Sequence, residues 1–245
     1  MQIIYKNIGE TPLDALNRLR CEKPEFAGAK LSYAGRLDPM AEGLLLVLVG
    51  EENNEREKYL GLDKEYEAEI LFGIETDSYD ALGIIKNSKS GNKNPDEGSI
   101  KDYLKKSEGA MEQEYPPFSS KTVGGIPLWS IARKGQNPIL PKRKVEIYKA
   151  ELSDMNRISA EKIREKVFES IQKVNGDFRQ QEILESWGKA LEDKDKVFDV
   201  ALIRLFVSGG FYVRTFAHKM GKAFGMGAIA LSIKRTRIGD EFLNK

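Results

Sequence analysis

The sequence predicts a protein of the α+β class, folded as a single domain over residues 1–245. Some segments repeat apolar residues at helical spacing, whereas others alternate or form short continuous apolar runs, which indicate strands. We find no internal repeat and no domain linker within the 245 residues. With 40% hydrophobic residues, a chain of this length can bury a substantial core.

The first predicted elements are a short strand and a capped helix. A strand over 2–6 precedes a helix in which Thr11 is the N-cap and Pro12 occupies the first helical position. The apolar stripe of this helix consists of Leu13, Leu16 and Leu19. Residues 22–42 lack periodicity and are rich in Gly and Pro, so we expect a long loop there.

Two strands are predicted after this loop. Residues 44–49 form a continuous apolar run that favours a buried strand, and residues 64–74 alternate as a half-buried strand does. The second strand ends at a turn-prone segment, 76–80. Residues 86–98 are polar and predict an exposed loop.

The rest of the chain is predicted to combine helices with a β-rich region. Short helices are expected over 99–106 and 127–134, and two amphipathic helices within about 156–196 look like an insertion. A strand over 200–207 then leads to a helix whose buried face comprises Val213, Phe216, Ala217, Met220 and Phe224.

The composition excludes several classes of site. With one cysteine, Cys21, and one histidine, His218, the chain cannot form an internal disulfide or a Cys/His zinc site. No nucleophile elbow accompanies His218, and no spaced carboxylate cluster suggests a metal. We therefore predict neither a metal nor a cofactor. Because there is no apolar run of 18 residues and no signal segment, we expect a soluble, cytoplasmic protein.

The net charge of +1 hides an uneven distribution. Residues 121–149 carry seven basic residues and one acid, and residues 198–245 carry eight basic residues and three acids. If these two stretches fold onto one face, they form a positive strip suited to a polyphosphate ligand. Charge alone leaves open the alternative of two solvated surfaces without a partner.

Three segments carry candidate chemistry. Asp38 lies in a loop between Gly35 and Gly43, next to a proline that restricts the backbone, so its carboxylate is held in place. Tyr66 is an aromatic residue on the strand predicted over 64–74. Arg214 falls in the first turn of the helix after 209–210, off its apolar stripe and on one face with His218 and Lys222. Taken singly, each has an ordinary structural interpretation: a turn, a core aromatic and a solvated helix face.

Six segments follow one another in a recognisable order. They are 5–12 (YKNIGETP), 35–45 (GRLDP and GLL), 64–80 (KEY and GIETD), 116–135 (PPFSSK, LW and ARKG), 211–215 (FYVRT) and 231–239 (RTR). Together they resemble the motifs of the TruB family of pseudouridine synthases. The resemblance implies a pseudouridine synthase fold, with a central mixed or antiparallel sheet flanked by helices and loops. It also implies an isomerase that converts uridine 55 in the T loop of tRNA into pseudouridine by flipping the base, without a cofactor.

By this resemblance, the catalytic residues are Asp38, Tyr66 and Arg214. Asp38 acts at the ribose, either by attacking C1′ or by removing a 2′ proton, and the sequence does not decide between the two. Arg214 is expected to grip both oxygens of Asp38, since a guanidinium keeps its charge and binds carboxylates in a bidentate manner. Tyr66 is expected to stack on the freed uracil and to help remove the C5 proton.

The predicted partner is the T-arm stem-loop of tRNA, with no membrane and no obligate protein partner, and we expect a monomer. The residues predicted to bind the substrate or other parts of the RNA are Lys6, Tyr33, Gly35, Arg36, Lys121, Arg133, Tyr212, His218 and Arg235. One alternative is an RNA-binding tRNA folding chaperone whose catalysis is secondary or lost. Another is a glycoside hydrolase, which needs a second carboxylate facing Asp38; the nearby acids, Asp77 and Asp80, lie in a turn better suited to loop ordering.

The chain departs from the family pattern in five places, one of which is the segment 119–121 (SSK), one residue shorter than usual. Asn7 stands where the family usually has proline, and Tyr33 stands where many members have histidine. The helices within about 156–196 are extra, and we expect their apolar faces to brace the sheet rather than extend the RNA footprint. The sequence ends soon after Phe242, so we expect no C-terminal PUA-type RNA-binding domain.

Overall fold

The computed structural model describes residues 1–88 and 95–243, which are built around one large sheet. The strands are β1 (Gln2–Lys6), β2 (Leu31–Ala34), β3 (Ala41–Val49), β4 (Lys64–Phe72), β5 (Ile74–Thr76), β6 (Ile85–Ser88), β7 (Gly109–Glu114), β8 (Thr122–Val123), β9 (Ile126–Pro127), β10 (Lys142–Ser159), β11 (Val197–Val207), β12 (Ala228–Ile238) and β13 (Glu241–Phe242). The α-helices are α1 (Pro12–Glu22), α2 (Arg56–Leu60), α3 (Glu97–Lys106), α4 (Leu128–Arg133), α5 (Ala160–Gln172), α6 (Gln180–Ala190) and α7 (Val213–Ala223).

The main sheet is mixed, as expected. Its strand order is β1-β3-β12-β4-β11-β10-β7, with β2 paired to β3 and β13 paired to β12. The β3–β12 pair is parallel, and the other pairs in this sheet are antiparallel. Tyr66 on β4 lies opposite Leu205 on β11 and Arg235 on β12, so it occupies the middle of the sheet.

Side-chain alternation divides the core between the two faces of the sheet. Tyr66, Ala68 and Ile70 of β4 belong to a cluster that contains the buried side chains of α3 and α7. Leu71, one residue out of phase, belongs to a second cluster with α5 and α6. The insertion therefore braces the opposite face of the sheet, and Trp187 of α6 is fully buried there, with its indole N–H donating to the Gly83 carbonyl at 3.1 Å.

Helix α1 begins as the sequence predicts. The Thr11 hydroxyl accepts from the Asp14 N–H at 3.2 Å, and the Thr11 N–H donates to the Asp14 carboxylate at 2.8 Å, which completes a capping box. The predicted stripe is wrong at one position, because Leu13 is 57% exposed. Ala15 takes its place beside Leu16 and Leu19 in the core.

Other elements differ from the sequence-based prediction. The supposed loop over 22–42 contains β2, and the polar stretch from residue 86 begins inside β6. Residues 89–94 of that stretch lie outside the described residues. The first insertion helix begins at Ala160 rather than near 156, because β10 continues through Ser159. Within the described ranges, no helix is both long and apolar enough to cross a bilayer.

Candidate active site

The Asp38 loop connects β2 to β3 and is held by backbone hydrogen bonds. The Ala41 N–H donates to the Asp38 carbonyl at 3.0 Å, and the Gly9 N–H donates to the Pro39 carbonyl at 2.8 Å. At Gly43, φ is +109° and a Cβ would stand 2.3 Å from the Arg235 carbonyl oxygen, so glycine alone permits β3 and β12 to approach this closely. The Asp38 side chain is 27% exposed, which leaves its carboxylate accessible from the adjoining cleft.

Arg214 in the first turn of α7 is buried and paired with Asp38. Its side chain is 3% exposed, and its Nε lies 2.8 Å from Asp38 Oδ2. Nη1 donates to the Ser78 carbonyl at 2.8 Å, and Nη2 donates to the Phe118 carbonyl at 3.2 Å. The pairing agrees with prediction, but the bidentate grip on Asp38 is wrong, because both terminal nitrogens bind backbone carbonyls instead.

Asp80, to which the sequence analysis gives only a loop-ordering role, also contacts Arg214. Its side chain is 6% exposed, and its Oδ2 lies 3.5 Å from Arg214 Nε, on the same nitrogen that faces Asp38. The Ser78 hydroxyl donates to Asp80 Oδ1 at 2.6 Å, and the Leu82 N–H donates to the same oxygen at 3.0 Å. Burial raises the pKa of Asp80 to about 6, although the Arg214 guanidinium opposes the shift.

Arg214 remains positively charged in its buried position between two carboxylates. Burial alone would lower the pKa of its guanidinium, but the carboxylates of Asp38 and Asp80 raise it above its usual value. Among the described residues, Nε has no hydrogen bond of normal geometry, so its two carboxylate contacts are ion pairs. Arg214 thus supplies a fixed positive charge beside Asp38.

The three predicted catalytic residues line one cleft, whose volume is about 470 Å³. Tyr66 is 7% exposed and contributes part of the wall, as do residues of the loop that carries Asp38. Tyr212, also in the wall, precedes α7, and Gln113 bonds both its backbone N–H and its carbonyl, at 2.8 and 2.9 Å. Burial raises the pKa of the Tyr212 hydroxyl to about 12, so this group stays protonated near neutral pH.

The cleft is rich in positive charge. Its lining includes four cationic side chains, Arg36, Arg56, Lys64 and Arg143, besides Arg214 and Arg235. Burial lowers the pKa of Lys64 to about 8, and its ammonium donates to the carbonyls of Leu60 and Leu62. The acids in the lining are Asp38 and Glu57. Such an excess of positive charge favours a polyanionic ligand.

Tyr33, Gly35 and Arg36 also line this cleft, as their predicted role requires. The Arg36 guanidinium donates to the Tyr33 hydroxyl at 2.8 Å and lies 5.8 Å from the centre of its ring. Tyr33 is therefore part of the cleft wall. At Gly35, φ is +82°.

Lys6 and Arg235 require correction. Lys6 has no exposed surface, and its ammonium donates to the carbonyls of Ala41 at 2.5 Å and Asn7 at 2.9 Å. Arg235 is 1% exposed and donates to the carbonyls of Leu44 at 2.7 Å and Gly35 at 3.1 Å. Lys6 thus supports β3 in place of the RNA contact that we predicted, whereas Arg235 supports β3 and the Asp38 loop and also contributes to the lining of the cleft.

Three further predicted RNA contacts lie outside the main cleft. His218 stacks on Tyr79 with ring centres 3.8 Å apart, and burial lowers its pKa, so it is neutral at pH 7 rather than part of a cationic edge. Lys121 is exposed, with its ammonium 5.5 Å from the ring centre of Tyr115. Arg133 lines a second cleft of about 370 Å³, which also includes Asp38 and Arg214.

Comparisons with known proteins support the family that the six sequence segments resemble. Residues 23–180 match the family model described as TruB family pseudouridylate synthase, N-terminal domain. The tRNA pseudouridine synthase B of Aquifex aeolicus is 28% identical over 238 residues, which are 97% of this chain and 68% of that protein. The protein of the same name from Malacoplasma penetrans is 30% identical over 224 residues, covering 91% of this chain and 79% of that one.

Solved structures show the same fold at low sequence identity. A Cbf5 chain from a crystal structure of a Cbf5-Nop10-Gar1 complex aligns with a TM-score of 0.59 and 18% identity. The alignment covers 99% of this chain and 50% of the other, so this chain spans about half the length of that neighbour. A structure of an H/ACA RNP bound to a substrate RNA containing 2′-deoxyuridine aligns with a TM-score of 0.56, covering 99% of this chain and 49% of that one, also at 18% identity.

The predicted pseudouridine synthase fold is confirmed by these neighbours, and the predicted isomerase class is confirmed at the level of the family. The chain belongs to the TruB family of pseudouridylate synthases.

Proposed function

We propose that this protein isomerises uridine 55 in the T loop of tRNA to pseudouridine, acting as a monomer and without a cofactor. The observation that carries the proposal is that Asp38, Tyr66 and Arg214 line one positively charged cleft. The name that two relatives share, tRNA pseudouridine synthase B, supports tRNA as the substrate.

Asp38 acts on the ribose. The reaction breaks the N1–C1′ bond, turns the uracil and joins C5 to C1′, so no electrons are gained or lost. The partly exposed carboxylate, with Arg214 at 2.8 Å behind it, either attacks C1′ or removes a proton from C2′. A 2′-deuterated substrate separates the two routes, because a primary isotope effect is expected only for proton removal.

Tyr66 holds the detached base. Its ring lies in the cleft wall near the start of β4, a strand that is paired on both sides. Stacking on an aromatic ring contributes about 1–3 kcal/mol per base, which retains the uracil while it turns. The hydroxyl then assists loss of the C5 proton after the new bond forms.

The positive lining offsets the free energy of base flipping. Extruding a base from its stack costs a few kcal/mol. Phosphate contacts from Arg36, Arg56 and Arg143 supply favourable free energy that weakens as salt rises. This supports a folded RNA loop as the ligand, because such loops present splayed bases next to phosphates.

The geometry does not favour a glycoside hydrolase. Such an enzyme needs a second carboxylate facing the first across the substrate. Asp80 lines the second cleft together with Asp38, but it is 6% exposed, paired with Arg214 and bonded to Ser78 and Leu82, which favours a structural role over that of a general acid.

The test uses purified protein and a T-arm minihelix at low salt, with no metal or nucleotide added. Carbodiimide mapping is expected to report one modified base, at position 55, and none in a matched minihelix that carries cytidine there. Absence of pseudouridine, or its appearance at another position, would contradict the proposal. If the minihelix is bound and remodelled but never modified, the chaperone alternative gains support.

A further inference from the structure

The loop between α5 and α6 of the insertion brings Arg179 next to the candidate active site. Its Nη1 and Nη2 lie 2.8 and 3.3 Å from the two carboxylate oxygens of Asp77. Its guanidinium carbon lies 4.3 Å from the centre of the Phe118 ring. The side chains of Arg179 and Asp77 are 11% and 14% exposed. This arginine is thus held on two sides in a largely buried position.

The two partners of Arg179, Asp77 and Phe118, belong to the segments whose carbonyls bind Arg214. Ser78, the residue after Asp77, accepts a hydrogen bond from Arg214 Nη1 at 2.8 Å. The carbonyl of Phe118 accepts from Nη2 at 3.2 Å. With both terminal nitrogens bound in this way, the remaining nitrogen, Nε, faces Asp38 at 2.8 Å.

The loop itself holds Arg179 in place. Arg179 has φ +63°, a left-handed conformation that a side chain other than glycine rarely adopts and that the surrounding structure must enforce. The Gln180 amide donates to the carbonyls of Val174 and Gly176 at 3.1 and 2.6 Å, and its oxygen accepts from the Phe178 N–H at 2.9 Å. These bonds close the loop around the position of Arg179.

We propose that Arg179 is a positioning residue that fixes the carbonyls of Ser78 and Phe118, and so orients Arg214 toward Asp38. The insertion therefore does more than brace the sheet: it sets the geometry of the reacting carboxylate. This inference rests on the proposed function, since it concerns the rate of that same reaction.

The test compares Arg179→Met with Arg164→Met in single-turnover conversion of the T-arm minihelix at saturating protein. Arg164 belongs to the same insertion and also stacks on a phenylalanine, 5.1 Å from the ring centre of Phe168, but it lines neither cleft. We expect Arg179→Met to lower the rate by about tenfold or more, with the Kd for RNA unchanged within about twofold. Arg164→Met is expected to match the wild type in both.

Two further variants separate positioning from folding. Arg179→Lys keeps the charge and loses the bidentate geometry, so it is expected to recover part of the rate. In a double-mutant cycle, adding Arg179→Met to Asp77→Asn is expected to lower the rate by no more than about threefold, because the two act through one contact. Rates are measured well below the Tm of each variant.

The outcomes are distinct. If the wild type itself fails to modify the minihelix, the proposed function fails. If the wild type is active and Arg179→Met equals Arg164→Met, the positioning role is overturned. The same holds if the whole loss appears in Kd, which would make Arg179 an RNA contact, or if the Asp77 and Arg179 effects are additive.

Discussion

Replacing Arg214 with lysine tests the most heavily bonded side chain of the cleft. Lysine keeps a positive charge but has one nitrogen, which cannot reach Asp38 and the carbonyls of Ser78 and Phe118 together. A buried carbonyl left without a partner costs about 1–3 kcal/mol, so we expect the free energy of unfolding to fall by about 2–4 kcal/mol. For a chain of this size, that lowers the Tm by about 5–15 °C.

The effect of Arg214→Lys on catalysis follows from the same contacts. Without Nε fixed at 2.8 Å, Asp38 loses its defined orientation, and a displacement of about 1 Å at a reacting group lowers the rate by about 100-fold. RNA affinity is expected to stay within about twofold, because the Arg214 side chain is only 3% exposed. Single-turnover conversion of the T-arm minihelix measures the rate, filter binding the Kd, and thermal unfolding the Tm.

The control is Arg56→Lys, at an exposed position in the lining of the same cleft, which is expected to convert the minihelix at nearly the wild-type rate. If Arg214→Lys also converts within about threefold of the wild type, the pairing of Arg214 with Asp38 has no catalytic role and the reasoning fails.

Three other predictions concern pH, stability and salt. The pKa of Asp80 is about 6 in the folded state and about 4 in the unfolded state. Between these two values the folded state binds more protons than the unfolded state. Protonated Asp80 therefore stabilises the fold below about pH 4, and this contribution is lost as the pH rises to about 6. The stability of the wild type relative to Asp80→Asn should therefore fall by about 2–3 kcal/mol over this range, and a flat difference in chemical denaturation would contradict the assignment. Trp187 is fully buried, so Trp187→Ala should lower the free energy of unfolding by about 3–5 kcal/mol. Trp129 is 45% exposed, and Trp129→Ala should lower it by less than about 1 kcal/mol. Similar losses in the two variants would refute the bracing role of α6. Arg56→Ala should reduce the slope of log Kd against log salt concentration by about 0.7–0.9. As a control, Lys189 is exposed on α6, and Lys189→Ala should leave the slope unchanged. Equal slopes for the two variants would exclude a phosphate contact at Arg56.

Local patterns were enough to predict the elements that carry the site. The cap at Thr11, the alternation through β4 and the apolar face of α7 each depend on residues close together in the chain. The sequence reasoning missed the strands β7, β10 and β12. In β7 and β10, exposed positions alternate with few strongly apolar residues. In β10, Val145 and Ile147 flank the charged Glu146, and much of the strand faces solvent.

The burial of Arg214 could not be read from its helix. It shares one face of α7 with His218 and Lys222. Its partners, Ser78 and Phe118, are 136 and 96 residues away in the sequence. Asp80 was assigned to a turn for the same reason, since only the fold places it on Arg214. Lys6 and Arg235 show the converse, because cations that suggest RNA binding are here bound to backbone carbonyls within the core.

The most direct test of the central claim compares Asp38→Asn with Glu57→Gln, the other acid lining the same cleft. Both variants are assayed for pseudouridine at position 55 under single-turnover conditions, with the Kd for the minihelix measured in parallel. We predict no detectable product for Asp38→Asn with RNA still bound, and product at near wild-type rate for Glu57→Gln. Pseudouridine formed by Asp38→Asn at a comparable rate would contradict the account.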